Sequence, residues 1–276
     1  MLEKTFPVPG PIELNCGFGA GAVTIQAVEQ AAHATVRIVA DDPDLPVDRL
    51  FRVELVGNRL EVQENRDEAG SLLRSILRGG SSDRRRVKIG VELPAGSGAR
   101  IAVGSATIAG RGRLGDCEVS NGSGGVTFEL VEGTLRTRGG SGELSVDRLT
   151  GAAHIRGGSG AVRLGEVDGA LSISVGSGKV RVGTAHGNTR VRSGSAAVTV
   201  EVAEGDVDVA CSSGPVTVGI RPGWNAKLDV ATGSGRLRTE MPMTESAPAA
   251  GGERITIRAR TGSGNITVQR AAPVSA

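Results

Sequence analysis

The stretch GSGAVRLGEVDGALSISV, residues 158–175, decides how this chain folds, because close variants of it recur end to end. A glycine opens each block at Gly104, Gly122, Gly140, Gly158, Gly176 and Gly194, and Ser212 takes the seventh place. A serine follows every one of them, from Ser105 to Ser213. A second glycine falls eleven residues further on, at Gly115, Gly133, Gly151, Gly169, Gly187, Gly205 and Gly223. A fixed period of 18 residues over seven blocks marks a stacked-repeat architecture.

Within a block, apolar residues alternate with period two, which is the strand signal. Position five holds Ile108, Val126, Leu144, Val162, Val180, Val198 and Val216, and position seven holds Phe128, Val146, Leu164, Val182, Val200 and Val218 after Gly110. Positions fourteen and sixteen repeat the pattern, from Cys117 and Val119 to Val207 and Val209, and then to Asn225 and Lys227. Each block therefore reads as two short strands joined by two glycine turns, with both inward pairs facing one core. The few apolar side chains of one coil do not offset the ordering of its backbone, so the coils must stack. The expectation is an all-β, single-chain parallel β-solenoid (β-helix-like) with 18-residue coils and a less regular N-terminal β cap region.

The division expected along the chain is residues 1–103 irregular, 104–229 regular solenoid, 230–270 C-terminal coils, and 271–276 tail. In the first part Gly19–Ile38 resembles a worn coil. Phe51–Val56 and Arg59–Gln63 form a hairpin about Gly57–Asn58, Ala69–Arg78 has helical spacing, and Val87–Leu93 is a strand. Near the end, Gly233–Gly235 and Gly262–Gly264 restart the Gly-Ser-Gly phrase around a Pro/Ala/Gly-rich loop at Met241–Gly252.

Composition excludes several classes. With 32 basic and 30 acidic residues, the net charge of +2 gives no general attraction to nucleic acid. Four Phe, one Trp and no Tyr leave nothing on which bases could stack. Three cysteines, Cys16, Cys117 and Cys211, are too few for a disulfide scaffold and suit a reducing compartment. Cys117 falls in an inward column, whereas Cys16 and Cys211 fall near turns without paired ligands for zinc. MLEKTFPVPG carries no apolar core of a signal peptide, and no run of about 18 apolar residues spans a membrane. The expected location is cytoplasmic.

The phrase GSGxVxVxxVxGxLxI runs through NGSGGVTFELVEGTLRTR, GGSGELSVDRLTGAAHIR and GGSGAVRLGEVDGALSIS, residues 121–174. It resembles the bacterial DUF4097 family of β-strand-repeat proteins, and EKTFPVPGPIELNCGFGAGAVTIQAV at residues 3–28 resembles the usual start of its members. The resemblance covers nearly the whole chain. It implies a β-repeat fold, a candidate-adhesin label and a link to envelope stress. It implies no settled activity and no catalytic motif to carry over. Many relatives have a membrane or export segment, which this chain does not show, and that departure weakens the adhesin reading.

Motif-like stretches lack the residues their chemistry needs. GGSGELSVD at 139–147 is close to a calcium nonapeptide, but Leu144 stands where that motif requires aspartate. GSGK at 176–179 is followed by Val180 instead of Ser or Thr. CGFGAGA at 16–22 leads into a strand pattern, not a helix. The serine column needs a base to become nucleophilic. His33, His154 and His186 form no Ser–His–carboxylate set with it, and His154 and His186 read as solvated.

One feature points to binding. Positions fifteen and seventeen face outward and carry Arg136, Arg138, Arg156, Arg190 and Arg192, interrupted by Ser172 and Ser174. This basic stripe would suit an acidic ligand or protein partner. Leu72–Arg86, LLRSILRGGSSDRRR, combines apolar and basic residues and reads as a cap on an open end or a docking segment. The expected function is a non-catalytic scaffold with a protein partner, no cofactor and no metal. The alternatives are a surface adhesin and a polysaccharide-acting β-helix enzyme. The enzyme would draw on the outward acids Glu129, Asp147 and Glu201, whose row is broken by Gly165 and Gly183.

Overall fold

The computed structural model describes residues 1–42, 45–65, 87–240 and 254–272, and these are all-β apart from one short helix, α1 (Val47–Leu50). The chain divides into two compact units, Met1–Gly142 and Glu143–Ala276. The expected helix at Ala69–Arg78, the segment Leu72–Arg86 and the loop at Met241–Gly252 lie outside the described residues.

The first unit contains β1 (Leu2–Pro7), β2 (Glu13–Val28), β3 (His33–Ala40), β4 (Phe51–Val56), β5 (Arg59–Glu64), β6 (Val87–Pro94), β7 (Gly98–Leu114), β8 (Cys117–Ser123), β9 (Val126–Val131) and β10 (Leu135–Ser141). From β7 onward the 18-residue register sets the pairing: Ile101 pairs with Val119, Ile108 with Val126, and Val119 with Thr137, all in parallel, with a one-residue shift after Gly110 that sets Leu114 beside Val131. On its other edge β7 pairs with β2, placing Cys16 beside Ile101 and Val23 beside Ile108. Beyond β2 lie β5 and β6, also parallel, with Leu60 beside Leu14 and Ile89 beside Val23. The rung order in space is therefore β5/β6, β2, β7, β8/β9, which is not the order in the chain. Burial explains it. Leu14, Cys16, Val23 and Ile25 are at most 1% exposed, so β2 needs a rung on both edges.

The expected hairpin is present: β4 pairs antiparallel with β5 around Gly57, whose φ is +60°. The expected coil at Gly19–Ile38 is only half met. Its first half lies in β2, but β3 turns back antiparallel to β6, and β1 is antiparallel to β3. Gly110 breaks the apolar column at position seven. The ring of Phe128 fills its place, and a Cβ on Gly110 would lie 2.5 Å from Phe128 Cδ1.

The second unit contains β11 (Leu144–Leu149), β12 (Ala153–Val167), β13 (Leu171–Ala185), β14 (Thr189–Ala203), β15 (Val207–Cys211), β16 (Val216–Ile220), β17 (Asn225–Thr232), β18 (Leu237–Thr239), β19 (Arg254–Thr261) and β20 (Ile266–Arg270). Leu144, Val162, Val180, Val198 and Val216 form one file through successive parallel pairs. All five are at most 7% exposed. The expected two short strands per block are fused in β12, β13 and β14, each 15 residues long. The ladder continues through the Gly-Ser-Gly corner, with Ser159 beside Ser177 and Ser177 beside Ser195. Two glycines make this possible. A Cβ on Gly176 would lie 2.6 Å from the carbonyl oxygen of Gly158, so the first glycine admits close backbone approach. The second takes a positive φ, +143° at Gly160 and +121° at Gly178.

The end of this unit departs from the 18-residue arithmetic. Val207 pairs with Ile257, and Ile257 with Leu228, so β19 lies between β15 and β17. Likewise β20 lies between β16 and β18, through Val216–Ile266 and Ile266–Leu237. The expected inward residues Asn225 and Lys227 are displaced three residues out of register, and Leu228 takes the column. The longer turn Arg221–Trp224, closed by a bond from Trp224 N to Arg221 O, absorbs the slip. Composition decides the order. Ile255, Ile257, Ala259, Ile266 and Val268 are all at most 3% exposed, whereas Leu237 in the outer rung is 47% exposed. The more apolar rung is covered on both edges. The 18-residue register thus joins the rungs from β7 to β10 in the first unit and from β11 to β16 in the second, whereas β1–β6 and β17–β20 depart from it, so the described residues are all-β but do not form the regular solenoid of 18-residue coils expected from the sequence.

Candidate functional site

The basic stripe divides between the units. Arg136 and Arg138 lie on outward positions of β10, with Arg138 Nη1 4.0 Å from Glu118. Arg156 lies on β12, and Arg190 and Arg192 on β14, all exposed. Because β19 adjoins β15, Arg258 and Arg260 continue the face of the second unit beside Asp208 and Ala210. The periodic reading missed both, since it matched residues 18 apart and these stand 50 residues from their neighbours. The only local signal was the alternation RITIRART at 254–261.

Two aspartates temper this face. Asp208 Oδ2 lies 3.4 Å from Arg190 Nε and 3.1 Å from Arg192 Nη2. Asp229 Oδ2 lies 3.3 Å from Arg258 Nε and 3.2 Å from Arg260 Nη2. Both aspartates are partly exposed, so each contact is weak and screened. Arg156, Arg190, Arg192, Arg258 and Arg260 against Asp208 and Asp229 leave the face positive.

A second feature of the same unit is a groove of about 910 Å³ whose lining includes Asp147, Glu166, His186, Glu201, Glu204 and Arg221. Asp168, His186 and Glu204 occupy the same place in successive blocks, just before the turn glycines. Backbone bonds link the turns, from Asp168 N to Leu149 O, His186 N to Val167 O and Glu204 N to Ala185 O. The three side chains therefore stand one above another. His186 Nδ1 is 2.6 Å from Glu204 Oε2. His186 Nε2 is 3.1 Å from Glu166 Oε1 and 3.7 Å from Asp168 Oδ1. Arg148 donates to the outer oxygens of the same carboxylates, at 2.6 Å to Glu166 Oε2 and 3.3 Å to Asp168 Oδ2. Arg221 donates to Glu204 Oε1.

Partial burial disfavours a charged ring at His186. The hydrogen bonds to Glu204 and Glu166 outweigh it and hold the group above the ordinary histidine value. His186 is thus bound between carboxylates, not solvated as its sequence position suggested. Three ionisable residues at 18-residue spacing were the available signal. His154 and His33 are exposed, on β12 and β3.

The remaining candidates have structural roles. Ser105 and Ser123 hydroxyls lie 3.1 Å apart, and Ser177 donates to Ser159 at 3.3 Å. Cys16 lies within β2 and not near a turn, whereas Cys211 is the last residue of β15, beside the turn at 212–214; both are buried, as Cys117 is, and all three are free thiols. Burial pushes Cys16 and Cys117 up to about 12. Residues 16–22 lie inside β2 and 176–179 inside β13, so neither opens a helix that could hold phosphate. Glu129 accepts from Gly112 N at 2.9 Å, and Glu201 is paired with Arg181. No helix among the described residues is long and apolar enough to cross a membrane.

Comparison with known proteins gives a family and distant structural likenesses. A family model described as Toastrack DUF4097 matches residues 13–270. A candidate adhesin from Bacteroides fragilis is 12% identical, with a TM-score of 0.45 and coverage of 97% of this chain and 96% of that one. A candidate lipid-binding protein from Parabacteroides distasonis is 17% identical, with a TM-score of 0.46 and the same coverages of 97% and 96%. A candidate cell-adhesion protein from Clostridium sporogenes is 14% identical, with a TM-score of 0.25 and coverage of 98% and 99%. No curated protein matches.

Proposed function

The chain belongs to the Toastrack DUF4097 family, and on that premise we propose that it is a non-catalytic β-solenoid scaffold that docks an acidic partner on a flat basic face. The observation that carries this reading is the recurrence of Arg156, Arg190, Arg192, Arg258 and Arg260 on outward positions of alternate rungs, β12, β14 and β19, with the Ser172/Ser174 and Asp208/Ala210 positions of β13 and β15 between them. Rungs spaced about 4.8 Å apart hold such side chains on a rigid lattice. A scaffold of this kind adds little ordering cost at its own surface when a partner binds. The three free, buried cysteines suit a reducing compartment, and the reading puts the protein in the cytoplasm with a role in the envelope response.

The outward acids expected to serve an enzyme, Asp147 and Glu201, do not form a carboxyl pair. Asp147 and Glu201 are three rungs apart, with Gly165 and Gly183 between them. That separation is about 14 Å along the stack. Glycoside hydrolysis by a carboxyl pair needs roughly 5–9.5 Å.

The test replaces Arg156, Arg190, Arg192, Arg258 and Arg260 together by Ser. Binding of a polyglutamate peptide should be measurable for the natural chain, weaken with added salt, and be lost in the variant at an unchanged melting temperature. Equal binding by both proteins, or binding by neither, would defeat the proposal.

A further inference from the structure

The groove cluster carries an inference separate from the basic face. We propose that Glu166, Asp168 and His186 bind a zinc-class divalent transition-metal ion, with Glu204 orienting the imidazole. Glu166 Oε1, Asp168 Oδ1 and His186 Nε2 converge within 4.8 Å of one another. One imidazole nitrogen and two carboxylate oxygens form a donor set that suits Zn²⁺. It is a poor set for Ca²⁺, which takes six to eight oxygens.

The surroundings aim these atoms. A metal-binding histidine characteristically donates its other ring N–H to a carboxylate. Here Glu204 accepts from Nδ1 at 2.6 Å and is itself held by Arg221. That bond keeps the proton on Nδ1, so that loss of the Nε2 proton would leave the Nε2 lone pair facing Glu166 and Asp168. Arg148 occupies the outer oxygens of both carboxylates and leaves Oε1 and Oδ1 turned toward His186. Both ring nitrogens now face acceptors, so Nε2 carries a proton in the arrangement described. The ion takes the place of that proton, and the ring becomes neutral on binding. The groove leaves the remaining coordination positions open to water.

Charge sets the strength. Glu166, Asp168 and Glu204 contribute three negative charges, while Arg148 and Arg221 contribute two positive ones. The site is therefore attractive to a dication but weaker than one built from the same acids without guanidinium neighbours. Glu166 lies at the end of β12, and Asp168 and His186 directly follow β12 and β13, so a bound ion would clamp these two rungs together at their ends.

The experiment uses the full chain without an affinity tag, freed of metal with a chelator and titrated calorimetrically with Zn²⁺ alone. One ion should bind per chain, and the melting temperature should rise with zinc. His186→Asn should abolish this binding, and Glu204→Gln should weaken it by about 10–100-fold. Replacing Zn²⁺ by Co²⁺ should give visible absorption bands that His186→Asn removes. No binding by the natural chain, or undiminished binding by both variants, overturns the proposal. Should His186→Asn fail to fold, the Glu204→Gln titration decides the matter: unchanged affinity there counts against the site.

Discussion

Replacing Gly176 by Ala tests the close approach of rungs at the Gly-Ser-Gly corner. The new Cβ would lie 2.6 Å from the carbonyl oxygen of Gly158 and 3.6 Å from its carbonyl carbon. Ordinary contact begins near 3.4 Å, and the obstructing atoms are backbone, so no side chain can swing aside. Neighbouring rungs must separate locally, stretching the ladder that joins β12 to β13. Overpacking of this kind costs about 1–3 kcal/mol. Loss of glycine's freedom in the unfolded chain offsets about 0.4–1 kcal/mol of that. The expected net loss is about 1–2 kcal/mol, or a fall in melting temperature of roughly 3–6 °C. Gly125 provides the control, because a Cβ there meets nothing within 4 Å. Gly125→Ala should therefore be neutral or slightly stabilising. Differential scanning calorimetry of both variants is the assay. Equal changes in the two, or stabilisation by Gly176→Ala, would refute the argument that backbone approach fixes this glycine column.

Other consequences can be measured directly. Phe128, fully buried against Gly110, should cost about 3–5 kcal/mol on replacement by Ala in chemical denaturation. Ile257→Ala should cost about 2–5 kcal/mol and Leu228→Ala distinctly less, because Ile257 is fully buried while Leu228 is half-exposed in the outer rung. The thiols of Cys16 and Cys117, buried and held up to about 12, should resist a thiol reagent at neutral pH until the protein unfolds. Rapid labelling of either in the native protein would show that its strand is not packed as described.

The columns were legible because strand geometry leaves little choice. Alternate residues face one way, so a repeat that keeps valine at positions five and seven declares its own inner face. Val162, Val180 and Val198 follow from that alone. Rung order was not legible, because it depends on competition between coils for the covered positions. Ile255, Ile257 and Ile266 win that competition over Asn225, Lys227 and Leu237, and chain order yields to burial. The same displacement hid Arg258 and Arg260, so the basic face was readable only as far as Arg156, Arg190 and Arg192. His186 was hidden for another reason. Its neighbours Asp168 and Glu204 are adjacent only across rungs, and reading the inward columns alone passes over such vertical pairs.

The rung order is tested most directly by paired cysteines on outward positions near the C-terminal end. Thr217 and Thr267 are opposite one another on adjacent rungs, and Thr267 is opposite Arg238 on the next. Thr217 and Arg238 are therefore two rungs, or about 9.6 Å, apart, beyond the roughly 7 Å that a disulfide can bridge. Mild oxidation of the Thr217→Cys/Thr267→Cys variant should give an intramolecular disulfide, and Thr217→Cys/Arg238→Cys should give none. A disulfide in the second variant and not the first would mean that the coils stack in chain order, contrary to this account.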